Sequence, residues 1–399
     1  MHKLVDPDLA LRLVLDATSE LAPRPTALAR ALGLVLAAPV RADRDYPPFD
    51  RAAMDGLAVK VDDAGKAVRV RGEAAAGHEA TGSVEPGLAV EVMTGAPCPP
   101  GTEAVVPRED LTANIQGFVL PSHVKPYQHI AGRGSECAAG AAVLAPGDVV
   151  TTIGVAVLAS FGVAEVSVIP RPRVAVVVTG DEIVPAGKPV GPGQIRDSNG
   201  AMLSAMVAEA DAELTSLRFA GDSPGALREA LRGPPEAEVL LLTGGVSAGK
   251  YDLVPAALAE AGFELVFHKV QQKPGKPLLF GHRAGQLVFG LPGNPLSVHL
   301  GFTRYVLEAL AKLRRRALPG PQRGELMAPL TVRGERTSFV LTQVRRNGST
   351  LEVTPLVGRG SADVFASARA RAYLRLEPGA HALPVGAPVE VTWAGAPVY

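Results

Sequence analysis

The chain of 399 residues has almost no cysteine and no surplus of charge of either sign. Its two cysteines, Cys98 and Cys137, stand far apart. They give no disulfide framework and no zinc-binding spacing, and they fit a reducing, cytoplasmic setting. Forty basic and forty acidic side chains leave a formal net charge of zero, so nothing draws the whole molecule to nucleic acid or to an anionic membrane. Any anion binding must be local. Long apolar runs are also missing. The most apolar stretch, TTIGVAVLASFGVAEVSVI at 151–169, carries a glutamate and interior glycines and does not read as a membrane span. The N-terminal MHKLVDPDLALRLVLDA breaks its apolar pattern with acidic residues and lacks a small-residue cleavage site, so it does not read as a signal peptide.

Proline (35) and glycine (43) are plentiful but form no low-complexity linker, which implies many turns inside about two to four domains. Residues 7–38 show helical periodicity in two blocks, DPDLALRLVLDA and RPTALARALGLVLA, the second with Thr26 placed to cap it. Short β-rich runs follow: LAVKV, AVRVRGE, AVEVMTG and GFVLP. A strict alternation of apolar strands and helices then begins at RVAVVVTGDE and runs through PLSVHLGFTRYVLEALAKL. From about residue 320 the pattern is alternating β again. The expected division is a discontinuous N-terminal domain (1–45 and 126–169), an inserted β module (46–125), an α/β domain (170–318) and a C-terminal β domain (319–399).

The chemistry concentrates where α/β folds keep their sites, beyond the carboxyl ends of strands. VTGDE places Thr179, Gly180, Asp181 and Glu182 there, and LLTGGVSAGKYD places Thr243, Gly244, Gly245, Ser247 and Asp252. Glycine turns of this kind let backbone N–H groups approach phosphate, although tight turns need glycine on steric grounds alone. Glu182, Asp222 and Asp252 suit Mg²⁺, a hard cation that prefers oxygen ligands; capping the following helix is an equal alternative for Asp222. QKPGKPLLFG, at 272–281, holds Lys273 and Lys276 on a segment stiffened by Pro274 and Pro277 and turned at Gly275. Two ammonium groups kept this close repel unless an anion lies between them, so the segment reads as an oxyanion site, against the alternative of an ordinary surface turn.

FDRAAMDGLAV, VMTGAPCPPGTEAVVPRED, VVVTGDEIV, GQIRDSN, TGGVSAGKYD, KPGKPLLFG and LPGNPLSV, in this order, make the chain resemble the MoeA family of molybdopterin molybdenumtransferases, related to the E domain of gephyrin. The resemblance covers nearly the whole chain. It implies a multidomain α/β plus β fold with a central MogA-like three-layer α/β domain, an inserted β module and a C-terminal β-barrel-like domain. It also implies insertion of molybdate into adenylylated molybdopterin, with Mg²⁺-dependent release of AMP, in a homodimer whose active site lies between subunits. A MogA-type adenylyltransferase would supply the substrate, and molybdoenzymes would accept the cofactor. Carried over residue by residue, Asp55 and Thr94 come from the β module, while Glu182, Asp222 and Asp252 serve the phosphate and Mg²⁺ region, Glu182 and Asp252 as metal ligands. Lys273, Lys276, Ser297, Arg336 and Ser361 form the molybdate pocket. Thr179, Gly180, Asp181, Ser198, Gly244, Gly245, Ser247, Pro292, Gly293 and Asn294 contact the pterin substrate. Two lysines and an arginine neutralise a tetrahedral dianion while serine hydroxyls donate to it, and no covalent protein nucleophile is needed.

The chain departs from the family pattern at Arg51-Ala52, Leu57, Arg196 and Lys250, and around GRGSECAAG, where Ser135 is inserted and Cys137 takes an acidic place; no function is assigned to that segment. His268 reads as a packed strand-end residue, His78 and His129 as loop residues, and Trp393 as part of the C-terminal core. RRRAL after a helix is a C-terminal charge complement rather than a nucleic-acid patch. Two rival readings are an ATP-dependent adenylyltransferase, which would need no molybdate, and a non-catalytic scaffold, which would release no AMP. Tungstate in place of molybdate is a further substrate variant.

Overall fold

Valine-rich strands and amphipathic helices alternate from residue 169 onward and build the centre of the larger of two units. The structure, a computed structural model, describes all residues except 79, 116, 233–236, 246–252, 357 and 396–399. One unit comprises Met1–Arg24 and Ile169–Tyr399, the other Pro25–Val168.

In the larger unit a six-stranded sheet runs in the order 213–220, 173–179, 239–243, 286–291, 277–283, 264–269. The first four strands are parallel, and the last two join antiparallel. Side chains alternate between its faces, as a period of two requires. Val174, Val176, Val178, Leu241 and Phe289 pack on one side with Val14, Leu203 and Leu310 from helices, while Ala175, Val177, Leu240, Leu242 and Val288 pack on the other with Leu227, Leu231 and Leu258. This is the expected three-layer α/β arrangement. The helix Pro7–Ala17 belongs to this unit. Asp6 caps it by accepting from the amides of Asp8 and Leu9 at 3.0 and 2.9 Å, and it buries Ala10 and Val14.

Beyond the α/β sheet, strands 322–326, 337–347, 350–355, 372–376 and 388–393 close into a five-stranded barrel, because 337–347 pairs with both 350–355 and 372–376. Leu326, Leu351, Val353, Leu374 and Val391 fill it, with Trp393 against them. The two-residue strand Gln272–Lys273 pairs in parallel with Thr337 and Ser338 of the barrel. The KPGKP segment is thereby attached to both layers of the unit.

The smaller unit holds a six-stranded sheet, in the order 104–107, 56–59, 88–92, 67–74, 117–119, 112–114. It also holds a three-stranded sheet whose strand 165–169 lies between 24–27 and 35–36. The second helix expected within 7–38 does not form. Arg24–Ala27 is a strand, Leu28–Arg30 a single 3₁₀ turn and Val35–Leu36 a strand, and Thr26 caps nothing. Strand 165–169 offers backbone partners to both flanks, and that pairing outweighs the local helical pattern. Met1–Arg24 lies with the larger unit, whereas the division expected from the sequence keeps 1–45 with 126–169.

Candidate functional site

The four parallel strands end along one edge of the α/β sheet. Val178 lies level with Thr243, Thr243 with Leu291, and Thr179 with Ala220. The turns beyond these ends carry Gly180, Asp181 and Glu182; Gly221 and Asp222; Gly244 and Gly245; and Pro292, Gly293 and Asn294. Beneath them Thr179 and Thr243 are buried. The Thr179 hydroxyl donates to the Thr243 carbonyl at 3.3 Å, and the Thr243 hydroxyl donates to the Pro292 carbonyl at 3.2 Å. Asp181 accepts from the Asp222 amide at 3.1 Å and ties the first two turns together. The helix Pro224–Leu231 is capped by Ser223, which accepts from the Ala226 amide at 3.2 Å. The capping alternative for Asp222 therefore falls away, and its exposed carboxylate has no such duty. Ser198 is exposed at the start of the helix Asn199–Glu209, whose Gly200 amide is held instead by Asp197 at 2.8 Å. Ser247, Lys250 and Asp252 lie outside the described residues.

Sequence reasoning passed over Asn199. Its Nδ2 donates to the Thr243 hydroxyl at 3.0 Å and to the Gly293 carbonyl at 2.8 Å, while its Oδ1 is buried with no hydrogen-bond partner among the described residues. Its place beside Ser198 in GQIRDSN was the available signal. Glu182 and Asp222 add exposed carboxylates on the same edge. Among the described residues no three His, Cys, Asp or Glu side chains gather as a metal cage. Scattered hard oxygen donors of this kind fit Mg²⁺ held largely through water and substrate phosphate, which is how that cation usually binds.

Lys273 and Lys276 open onto a cavity of about 400 Å³ that Arg333, Glu335 and Arg336 also line. None of the four cations is ion-paired among the described residues. One carboxylate faces four positive groups, so the cavity carries three uncompensated charges. Arg336 donates to the Gln272 carbonyl at 3.2 Å, which sets its guanidinium beside the turn. Ser297 is buried beneath the turn, where its carbonyl lies 3.5 Å from the position a Cβ on Gly275 would take. Ser361 is held on the Pro292–Asn294 turn: its hydroxyl accepts from Asn294 at 2.8 Å and its carbonyl from the Leu296 amide at 3.2 Å. Lys273, Lys276 and Arg336 thus share the cavity, whereas Ser297 and Ser361, expected in the same pocket, do not line it. Arg333, three residues before Arg336, was missed although it opens the same RGERTSF stretch, because the family resemblance carried over only the second arginine.

In the smaller unit Asp55 and Thr94 meet directly. One Asp55 oxygen accepts from the Thr94 amide at 2.6 Å and from its hydroxyl at 2.7 Å. The amide bond first and the hydroxyl bond second, with Arg108 nearby, hold the Asp55 carboxyl below the usual carboxylate range. Gly56 follows because a side chain there has no room: a Cβ would lie 2.0 Å from the Val106 carbonyl oxygen. The thiol of Cys98 is pushed up to about 11 by burial and then by Asp50, so it is no nucleophile.

Three family models match the chain in order: the "MoeA N-terminal region (domain I and II)" at residues 5–162, a "Probable molybdopterin binding domain" at 175–312 and the "MoeA C-terminal region (domain IV)" at 323–393. The molybdopterin molybdenumtransferase 2 of Mycobacterium tuberculosis is 35% identical over 333 residues, covering 80% of this chain and 82% of its own. The molybdopterin molybdenumtransferase of Staphylococcus aureus is 30% identical over 392 residues, 96% of this chain and 94% of its own. A solved molybdopterin biosynthesis MoeA protein from Pyrococcus horikoshii, 28% identical, superposes with a TM-score of 0.82 over 99% of this chain and 100% of its own. With both sheets, the closed barrel and the ordered motifs in place, the chain belongs to the MoeA family of molybdopterin molybdenumtransferases.

Proposed function

We propose that this chain inserts molybdate into adenylylated molybdopterin and releases AMP, completing the molybdenum cofactor. The observation that carries this reading is the cavity of about 400 Å³ in which Lys273, Lys276, Arg333 and Arg336 stand without ion pairs among the described residues. Such a cluster is stable only with anions in it, and a tetrahedral dianion neutralises two of its three surplus charges. Backbone amides of the turns at Gly180, Gly244, Gly245 and Gly293 bind the phosphates of the pterin substrate, with Thr179, Asp181, Ser198, Ser247, Pro292 and Asn294 shaping that cleft. Glu182 and Asp252 would hold Mg²⁺, whose charge would polarise the pyrophosphate link, and Asp222 would serve the nucleotide. In this reading Ser297 and Ser361 are the hydroxyl donors to the oxyanion, as the family resemblance implies. Catalysis is then positioning and charge stabilisation, with no covalent enzyme intermediate.

The same reading divides the chain at 1–45 with 126–169, 46–125, 170–318 and 319–399, and makes it a cytoplasmic homodimer. The helix Thr152–Ser160 supports dimerisation: its residues are apolar nearly all round, yet only Gly154 and Leu158 are buried and Ile153 is 73% exposed. Each site would combine one subunit's cleft with the partner subunit's Asp55 and the partner subunit's Thr94. A MogA-type adenylyltransferase supplies the substrate, and molybdoenzymes receive the product. Among the described residues no helix is long and apolar enough to cross a membrane. The test is AMP release from adenylylated molybdopterin with Mg²⁺, with and without molybdate. Molybdate-stimulated release supports the reading, release without cofactor formation argues against it, and no release returns the scaffold alternative.

A further inference from the structure

Gln272 is fully buried at the base of the KPGKP turn. Its Oε1 accepts a 2.6 Å hydrogen bond from the Tyr305 hydroxyl, and its Nε2 donates to the Gly275 carbonyl at 3.3 Å. Its backbone carbonyl accepts from Arg336, and its backbone lies level with Thr337 of the barrel. Gly275 turns with φ of 81°, and a Cβ there would stand 3.2 Å from Gln272 Nε2. Tyr305 is itself fully buried, on a π-helical turn, Phe302–Val306, that continues the helix bearing Ser297. Turns of this type often mark functional positions. Burial raises the Tyr305 phenol far above its ordinary value, so it remains a donor.

We propose that the Tyr305–Gln272–Gly275 relay fixes the spacing of Lys273 and Lys276 and thereby selects molybdate over sulfate. The inference rests on the cavity being the oxyanion site. Molybdate and sulfate have the same charge and the same tetrahedral shape, and sulfate has the shorter bonds. Attraction to four cations depends on charge and distance and barely separates them. Discrimination must come from donors that do not close in on the smaller ion. Lysine side chains are flexible, so that resistance resides in the backbone that carries them. A buried amide with both ends bonded supplies it, because moving the turn would strand polar groups away from water. Gln272 and Tyr305 act through the lysines and are positioning residues.

The experiment is equilibrium titration of the full chain with molybdate and, separately, with sulfate, for wild type, Tyr305→Phe and Gln272→Leu. Tyr305→Phe removes one oxygen and no charge. The expected result is a fall of about tenfold in the ratio of sulfate Kd to molybdate Kd, from weaker molybdate binding with sulfate binding unchanged or stronger. Gln272→Leu should lose more of the ratio; if it does not fold, Tyr305→Phe alone decides. Equal weakening of both ions, or a ratio held at the wild-type value, would overturn the relay while leaving the oxyanion site standing. Binding of neither ion by wild type would remove the site itself, and the inference with it.

Discussion

A single oxygen of Asp55 accepts from both the amide and the hydroxyl of Thr94, at 2.6 and 2.7 Å. The bonds favour the carboxylate, so this group stays ionised below the usual pH range, with the backbone bond the larger cause. Thr94→Val removes the hydroxyl bond and keeps the amide bond. The acid limb of the pH profile for molybdate-stimulated AMP release should therefore move to higher pH in Thr94→Val. Asp55→Asn should lower turnover by about 10²-fold or more, in the range seen when an ionised catalytic group is lost. Full activity in Asp55→Asn would remove Asp55 from the chemistry.

Four cations around one cavity make a second expectation quantitative. Lys276→Ala and Arg333→Ala each remove one charge-assisted partner of the oxyanion, so each should raise the half-saturating molybdate concentration by about tenfold or more. Arg333 is the sharper test, since nothing but the shape of the cavity places it there. Added salt should weaken molybdate binding in wild type, and less so in either variant, because fewer charges remain to be screened. A molybdate dependence in Lys276→Ala matching wild type would exclude the KPGKP turn as the anion site.

The alternation from residue 173 to 313 was legible because strands buried on both faces read as runs of valine and leucine, and each ends in glycine or a polar turn. The barrel strands were legible from their period of two. The stretch 25–38 misled because its apolar spacing fits a helix, while a strand 130 residues away supplies the pairing that decides the outcome. The site divides in the same way. Lys273 and Lys276 were readable because charge beside proline and glycine is conspicuous in a sequence, while Arg336 came only from the family resemblance. Gln272 and Tyr305 act through buried amide and hydroxyl contacts between distant segments that no local pattern marks, and for Asn199 the sole signal was its place in GQIRDSN.

Asn199 holds the Thr243 and Pro292–Asn294 turns together through two hydrogen bonds from one amide nitrogen. Asn199→Ala leaves the Gly293 carbonyl without this donor and removes the buried Oδ1 that has no partner among the described residues. Loss of such bonds costs on the order of 1–3 kcal/mol when a polar group is stranded. The expected outcome is a raised KM for adenylylated molybdopterin with little change in the half-saturating molybdate concentration, because the cavity at Lys273 and Lys276 is untouched. Equal rises in both would assign Asn199 to general stability instead.

Asp8 joins three segments of the larger unit: its own helix, the π-turn at Arg304 and the barrel strand at Arg375. The Arg375 guanidinium donates to both Asp8 oxygens at 2.7 Å, and Arg304 donates to one at 2.7 Å. The Arg375 hydrogen bonds, opposed in part by desolvation, lower the Asp8 carboxyl below its ordinary value of 3.8. A carboxyl lowered by folding stabilises the folded state above that ordinary value and loses the contribution as pH falls through the folded value. The carboxylate is half exposed, so water screens the pair and the contribution is discounted to about 1 kcal/mol. Asp8→Asn should then lower Tm by about 2 °C at neutral pH. The gap to wild type should narrow as the pH falls below the ordinary carboxyl value of 3.8 and through the lowered folded value, where the wild-type carboxylate also protonates. Thermal unfolding of both proteins across that range decides it: a gap independent of pH would mean that Asp8 contributes by packing and not by its charge.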